Sequence, residues 1–159
     1  MKKALITILI LSILPVTFVA AEKERNTVEE RTAFVHFVSA KEGNYAKVDW
    51  IEWYEGEKAN QEAEIDGECY EEEGKCVVPD GYYIRNSDTE TEKLPIDQGA
   101  TFIMQTYQLD QTNEINWNQE VTLEEFMREV TSKDRYEMIP FHIKIKDGKI
   151  ISITEQYIP

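Results

Sequence analysis

The sequence predicts a mainly β domain of the α+β class, built as a small antiparallel barrel or a strongly curved sheet of six or seven strands with two short helices. Three observations support this prediction. Residues 141–153 alternate apolar and polar side chains around a two-residue turn, residues 32–40 are rich in β-branched and aromatic side chains, and residues 122–130 carry a capped amphipathic helix. The pattern does not separate a barrel from a two-layer sandwich.

The C-terminal hairpin is the clearest of these signals. Apolar side chains at positions 141, 143 and 145 alternate with polar ones, and Ile151 and Ile153 resume the alternation on the return. Asp147-Gly148 lies between the two runs and is a dipeptide typical of two-residue hairpin turns.

The N-terminal part of the domain also reads as a hairpin. Residues 32–40 are apolar on both faces, which indicates a central strand or a strand of a barrel. Residues 41–44 have turn chemistry, and residues 45–54 resume the strand pattern with two tryptophans.

Two short helices are predicted from helix-forming composition and from end signals. Residues 56–65 contain good helix formers and stop at Asp66-Gly67. Thr122 and Glu125 form a capping-box pair, and apolar residues recur at helical spacing from Leu123 to Val130, which predicts a helix over about residues 123–132. We expect this second helix to lay its apolar stripe on the sheet.

The middle of the chain predicts shorter strands. Residues 82–86 follow a Pro-Asp-Gly turn, residues 93–96 form a brief edge strand limited by Pro95, and residues 101–108 form another strand. Residues 110–120 are expected to be a polar loop around a lone aromatic residue, Trp117.

The first 21 residues are typical of a cleavable secretory signal peptide. Lys2 and Lys3 precede an apolar run that ends at small residues, and cleavage is expected after Ala21. An uncleaved membrane anchor is the alternative, but the apolar run is shorter than the roughly 20 residues that a spanning helix needs. We expect residues 22–31 to be a flexible lead-in and residues 32–159 to form a single β-rich domain that is secreted or held at the cell surface.

The charge of the chain excludes some partners. The sequence has 17 basic and 31 acidic side chains, a net charge of −14, and loss of two lysines with the signal peptide leaves about 15 basic residues and a charge near −16. Such a chain repels nucleic acid and anionic lipid. A basic partner, divalent cations and simple solubility all agree with it.

Cys69 and Cys76 are the only cysteines, and in an exported chain they predict a disulfide. Metal binding and free thiols are the alternatives. A structural zinc site needs four ligands, and the sequence adds only His36 and His142, which lie far away in strand-like segments. We therefore expect no metal site and no cofactor.

The sequence does not predict a catalytic residue. No nucleophile motif accompanies either histidine. Among the many carboxylates, Asp49 and Glu52 differ only in flanking Trp50 in an apolar strand, where alternation places outward acids anyway. Residues 110–121 are rich in oxygen ligands, but Ile115 and Val121 occupy the positions where a calcium loop of the EF-hand type needs Gly and Glu.

A tentative binding patch is predicted around one short strand. Tyr83, Arg85 and Asn86 combine aromatic, guanidinium and amide groups, which are typical of interfaces, and Tyr157 extends the patch if its strand is a neighbour. Alternation puts Tyr83 and Arg85 on one face, with Tyr82 and Ile84 on the other. The alternative is structural: one tyrosine lies in the core and Arg85 pairs with a nearby acid.

Five short motifs stand out along the chain: Trp53-Tyr-Glu-Gly-Glu-Lys-Ala59, Asp80-Gly-Tyr-Tyr-Ile-Arg-Asn86, Leu94-Pro95, Asp147-Gly-Lys149 and the ending Glu155-Gln-Tyr-Ile-Pro159. In these motifs the chain resembles a family of small secreted bacterial proteins, mainly from Gram-positive bacteria, for which no activity is established. The similarity spans residues 35–159, with the segment from Cys69 to Cys76 as an addition. It implies export and the order of elements, and no catalytic or binding role.

Together these observations predict an exported, non-catalytic binding or accessory domain that acts at the bacterial cell surface or in the medium. We expect an extracellular or envelope partner, no nucleic acid, and no stable membrane insertion after cleavage. The alternative is a hydrolase that uses acidic residues on an extracellular or cell-wall substrate.

Overall fold

The computed structural model describes residues 27–41 and 43–158. The described part contains nine strands: β1 (Glu29–Ala40), β2 (Gly43–Glu55), β3 (Tyr70–Glu72), β4 (Lys75–Val77), β5 (Tyr82–Arg85), β6 (Thr91–Met104), β7 (Gln119–Val121), β8 (Phe141–Lys146) and β9 (Lys149–Glu155). It also contains three α-helices, α1 (Gly56–Asp66), α2 (Leu109–Thr112) and α3 (Leu123–Ser132), and a 3-10 helix over Asp134–Glu137. The predicted signal peptide lies outside the described residues.

Five strands close a barrel, which confirms the predicted fold class. In the seven-stranded sheet the order is β5-β2-β1-β8-β9-β6-β7, and a further pairing of β6 with β2 joins its two halves. The barrel strands are therefore β1, β2, β6, β9 and β8, with β5 and β7 as extensions. All pairings are antiparallel except that of β6 with β9.

The topology is that of the OB-fold, a five-stranded Greek-key barrel. Counted along the barrel, the strands follow the order one, two, three, five, four, with α3 between the third and fourth strands. OB-folds often bind ligands with long loops between the first two and the last two strands. Here β2 follows β1 after two residues and β9 follows β8 after two residues, so both of these loops are short in this chain.

The core lies inside the barrel and under α3. Val35, Phe37, Val48, Ile143 and Ile153 are buried in it. These inward residues alternate along their strands with outward ones, which is the pattern expected for barrel strands.

Helix α3 closes the core as its pattern predicts. The Thr122 hydroxyl accepts a hydrogen bond from the Glu125 backbone amide, and the Glu125 carboxylate accepts one from the Thr122 backbone amide. The predicted capping box is therefore present. The ring of Phe126 lies 4.9 Å from that of Phe37 and 4.8 Å from that of Phe102. Burying Phe126 between two strands explains why the helix sits on the barrel.

Strand β1 begins at Glu29, three residues before the expected start of the domain. Residues 29–31 pair with β8, so the last residues of the expected lead-in are part of the sheet. The pairing satisfies backbone groups that a free lead-in would leave to water.

Strand β6 differs from the prediction of two separate strands at 93–96 and 101–108. One strand runs from Thr91 to Met104, pairs first with β2 and then with β9, and shifts register between Ile96 and Thr101. Pro95 lies where the strand changes partner, which is a place where a missing N–H donor is tolerated.

The C-terminal hairpin is confirmed, with one correction. Asp147 and Gly148 both have positive φ, 51° and 73°, as a two-residue turn of this type requires. A register shift opposite Lys144 and Ile145 places Ile150, rather than Ile151, fully inside the core. Simple alternation breaks at this bulge because one extra residue reverses the inward face.

The predicted disulfide is present. Cys69 and Cys76 are bonded and tie together the small hairpin of β3 and β4. That hairpin packs beside α1, whose end is capped by Gly67 in the left-handed conformation with φ of 74°. Within the described ranges, no helix is both long and apolar enough to cross a membrane.

Candidate functional site

The predicted patch residues Tyr83 and Arg85 do share a face of β5, and that face is turned to α1. The hydroxyl of Tyr83 donates to Asp66 Oδ2 at 2.8 Å, and Arg85 Nε donates to the same oxygen at 2.6 Å. Both residues therefore hold the C-terminal end of α1 against the sheet.

The guanidinium of Arg85 has no donor left for a partner. Besides Asp66, it donates from Nη1 to Glu52 and to the Tyr54 hydroxyl, and from Nη2 to the side chain and the carbonyl of Glu62. These five contacts account for its five N–H groups. The structural interpretation of Arg85, pairing with nearby acids, is the one that the geometry supports.

The pKa values around Arg85 are shifted as such pairing requires. Hydrogen bonds from Arg85, and next from Tyr83, lower the pKa of Asp66. The pKa of Glu62 is lowered first by Lys58 and then by Arg85. The pKa of Tyr83 is raised, mainly by desolvation and then by its bond to Asp66. The lowered pKa values favour the ionised carboxylates that hold α1 in place, and the raised pKa of Tyr83 keeps its hydroxyl protonated as a donor.

The other two predicted patch residues lie elsewhere. Asn86 donates to Asp49 Oδ2 at 2.9 Å, beyond the end of β5. The ring of Tyr157 packs edge-on against Trp117, with centroids 5.0 Å apart. Tyr157 lines a cavity together with Tyr82, so it belongs to the face of β5 opposite to Tyr83 and Arg85. The structure therefore does not bring the four residues into one patch.

The opposite face of β5 carries a pair of stacked rings. Tyr82 pairs across from Glu55, and Ile84 pairs across from Trp53. The rings of Trp53 and Tyr82 are 4.7 Å apart and within 15° of parallel. The Gly56 amide donates to the Gly81 carbonyl at 2.8 Å and fixes the start of β5 against the end of β2, which places this pair.

Trp117 is held in place although 57% of it is exposed. Its neighbour Asn118 donates from the backbone to Gln105 Oε1 at 2.8 Å and accepts from Gln105 Nε2 at 3.3 Å. On the other side, the backbone N–H of Gln156 donates to the Pro140 carbonyl, which positions Tyr157 beside the indole of Trp117. An exposed indole with ordered supports on both sides is typical of a binding surface.

These rings line a cleft of about 420 Å³. Its side chains are aromatic, acidic and amide in character: Trp53, Glu55, Asp80, Tyr82, Trp117, Gln156 and Tyr157. The indole of Trp53 donates to Glu55 Oε1 at 2.9 Å, so one carboxylate is already fixed beside the rings. We call this cleft the aromatic cavity.

A second cleft adjoins it and shares Tyr82. It has a volume of about 540 Å³ and is almost wholly apolar, with Glu137 as its charged member: Phe34, Tyr82, Ile84, Glu137, Met138, Ile139 and Ile158. Met138 is 77% exposed at its rim. We call this cleft the apolar cavity, and the two cavities together the groove. Both have the size of ordinary ligand sites.

Sequence reasoning placed Tyr82 and Ile84 on the other face of β5 but did not connect them with Trp53 or Trp117. Within β2 the sequence does indicate part of the site, since Trp53 and Glu55 are two positions apart and therefore share a face of the strand. Nothing local in the sequence indicates that Trp117 lies beside Tyr157, because residues about 40 apart meet only after the barrel closes.

The described residues include no group of three or more His, Cys, Asp or Glu side chains arranged to hold a metal ion. Among the described carboxylates Glu155 is the most buried, and it accepts from the backbone amides of Gln105 and Thr106 and from the Thr106 hydroxyl. Those bonds use Glu155 to fix the chain after β6, so we assign it a structural role.

Comparison with protein-family models, with curated proteins and with solved structures found no match to the chain. The family resemblance of the short motifs therefore stays a prediction. A barrel of this topology serves many unrelated functions, and the function has to be argued from the surface itself.

Proposed function

We propose that this protein is an exported, non-catalytic binding domain that acts at the bacterial cell surface or in the surrounding medium, and that the groove is its binding site. The observation that carries the proposal is the groove itself: stacked and edge-packed rings, open to solvent and held by a rigid barrel. Monomeric proteins seldom expose such an aromatic and apolar surface without using it. Trp and Tyr are also the residues that most often dominate binding energy.

Export is supported by the N-terminal pattern and by the disulfide. The first 21 residues have the order of a secretory signal, and disulfides persist mainly in oxidising compartments. Protein recovered from the medium of an expressing bacterium should begin at Glu22 when its N-terminus is sequenced. A product that keeps residues 1–21 and stays in the membrane would contradict export.

A hydrolase of the acidic type finds less support in the described residues. A general acid needs a carboxyl group whose pKa is raised by an apolar setting. Where the pKa of a carboxyl group is shifted, it is lowered, because each such group accepts hydrogen bonds from a cation or from a helix N-terminus. These groups belong to Glu62, Asp66, Asp110 and Glu125. Such groups are stabilised as carboxylates.

The test compares matched variants of the secreted protein for retention on bacterial cell-envelope fractions. Trp117→Ala removes the exposed indole of the groove, and Tyr70→Ala removes a ring that is 70% exposed on the β3–β4 hairpin. We expect Trp117→Ala to lower retention about ten-fold or more and Tyr70→Ala to leave it unchanged. Thermal melts should show both variants folded, because both side chains are mostly in solvent. Equal retention of Trp117→Ala and the unmodified protein would overturn the groove as the site.

A further inference from the structure

We infer that the groove takes an extended cationic peptide segment in which a Lys or Arg and a bulky apolar residue lie two positions apart, so that both point to the same face of the strand. This inference rests on the proposed function and names the chemistry of its ligand. It is argued from the charge of the groove, from its unoccupied rings, and from the free edge of β5.

The acids of the groove are not neutralised. Glu55 and Asp80 line the aromatic cavity and Glu137 lines the apolar one, and none of the described lysines, arginines or histidines lines either cavity. Within the described part of the chain none of these three carboxylates forms a salt bridge, whereas Glu62 and Asp66 on the opposite side of β5 are paired with Arg85. A ligand with positive charge complements this surface.

The rings of the groove are also without cations. Elsewhere the fold places cations over aromatic faces: Arg31 lies 3.9 Å from the ring centre of Trp50, and Lys93 lies 3.8 Å from that of Tyr45. Among the described residues no Lys or Arg covers any ring of the aromatic cavity. A Lys or Arg of a ligand can therefore occupy an aromatic face next to Glu55 or Asp80.

The free edge of β5 favours a peptide over other cations. Among the described strands, β5 is the last of its sheet and pairs only with β2. Within the described residues, no hydrogen bond to a loop or side chain uses the remaining backbone groups of Tyr82 to Arg85. An extended peptide can pair with such an edge, and its alternate side chains then point to one side.

The apolar cavity explains the second half of the proposed pattern. Side chains two residues apart on a strand are separated by about 6.6 Å. Tyr82 belongs to both cavities, so a cation over the aromatic cavity puts the next side chain near Ile84 and Met138. We expect that side chain to be Val, Leu, Ile or an aromatic residue.

The test uses three probes in titrations followed by NMR: a blocked peptide with lysine and valine at alternate positions of one strand face (Lys-Thr-Val-Thr-Lys-Thr), the same peptide with glutamate for lysine, and a linear hexamer of N-acetylglucosamine. The chain has three tryptophans, and Trp50 lies outside the groove with its indole bonded to Glu92. The lysine peptide should shift the indole signals of Trp53 and Trp117 and leave that of Trp50 in place. The glutamate peptide and the sugar should shift none of them.

Charge variants sharpen the test. Glu55→Gln keeps an oxygen for the Trp53 indole and removes the charge, and Glu71→Gln makes the same change on the exposed β3–β4 hairpin. Glu55→Gln should weaken lysine-peptide binding about three-fold at low salt, and Glu71→Gln should not. Raising the salt concentration should reduce this difference.

The outcomes separate the ligand class from the proposed function. Equal binding of the lysine and glutamate peptides would overturn the cationic preference, and binding of the sugar at Trp53 and Trp117 without peptide binding would overturn the peptide. If neither peptide binds while envelope retention still depends on Trp117, the ligand class is wrong and the proposed function stands. If retention does not depend on Trp117 either, both fail.

Discussion

Replacing Glu155 tests how the barrel is held to the segment that follows β6. Glu155 is only 2% exposed at the end of β9, and its carboxylate accepts from the amide of Gln105 at 2.7 Å and from that of Thr106 at 3.0 Å. The Thr106 hydroxyl also donates to it. Gln105 and Thr106 are themselves buried, so no solvent is at hand to replace the lost acceptor.

The cost of Glu155→Ala follows from the two orphaned amides. Each buried donor left without an acceptor costs about 1–3 kcal/mol, and two of them give about 4 kcal/mol. Glu155→Gln keeps one oxygen that can accept from both amides, and the Thr106 hydroxyl can turn to accept from the new amide group. We expect that variant to lose only about 1–2 kcal/mol.

The assay is urea unfolding followed by circular dichroism, with thermal melts in parallel. For a domain of about 130 residues, 1 kcal/mol corresponds to roughly 4 °C in Tm, so Glu155→Ala should melt about 15 °C lower and Glu155→Gln about 4–8 °C lower. Glu71→Ala and Glu71→Gln, on the exposed hairpin, should each change stability by less than about 0.5 kcal/mol.

Two results would refute this reasoning. A loss below about 1 kcal/mol in Glu155→Ala would show that the two amides find other acceptors. Equal losses in Glu155→Ala and Glu155→Gln would show that the negative charge, and not the acceptor oxygens, is what the site requires.

Two further predictions concern α1 and the disulfide. In Arg85→Met the pKa of Asp66 should rise toward its ordinary value, and the pKa of Glu62 should rise less, because Lys58 is the larger cause of the shift at Glu62. NMR titration of the carboxyl carbons measures both pKa values. Unchanged values would contradict the pairing of Arg85 with these two carboxylates. Since folding lowers these pKa values, the stability that they contribute is present above roughly pH 4 and is lost as the pH falls through the folded values. Replacing Cys69 and Cys76 together with serine should lower the unfolding free energy by about 2.5 kcal/mol, the loop entropy of about eight residues, and leave the barrel spectrum unchanged. A double variant as stable as the disulfide-bonded protein would show that the bond does not restrict the unfolded chain.

Local features of this protein were determined by the sequence alone. The capping box at Thr122 and Glu125, the turn at Asp147-Gly148, the end of α1 near Gly67 and the bridge between Cys69 and Cys76 all depend on residues within eight positions of one another. Strand and helix periodicity is equally local. These features are decided by short-range sterics and hydrogen bonds, which a single sequence displays.

The tertiary structure decided what depends on pairing between distant segments. Closure of the barrel by β6 against β2 and the switch of β6 to β9 involve partners 42 to 54 residues apart, and the extended backbone alone does not select among them. The bulge that buries Ile150 is likewise a property of the pair β8 and β9.

The candidate site was decided in the same way. In the sequence, nothing distinguishes Arg85 from Tyr157 as a candidate interface residue. In the structure, α1 places Glu62 and Asp66 beside Arg85. The segment after β9 places Tyr157 against Trp117. The sequence determined which side chains are present and which nearby residues of one strand share a face. Only the closed barrel decided which of them are neutralised by internal partners and which remain open to a ligand, because that depends on which distant charges and rings come within contact distance.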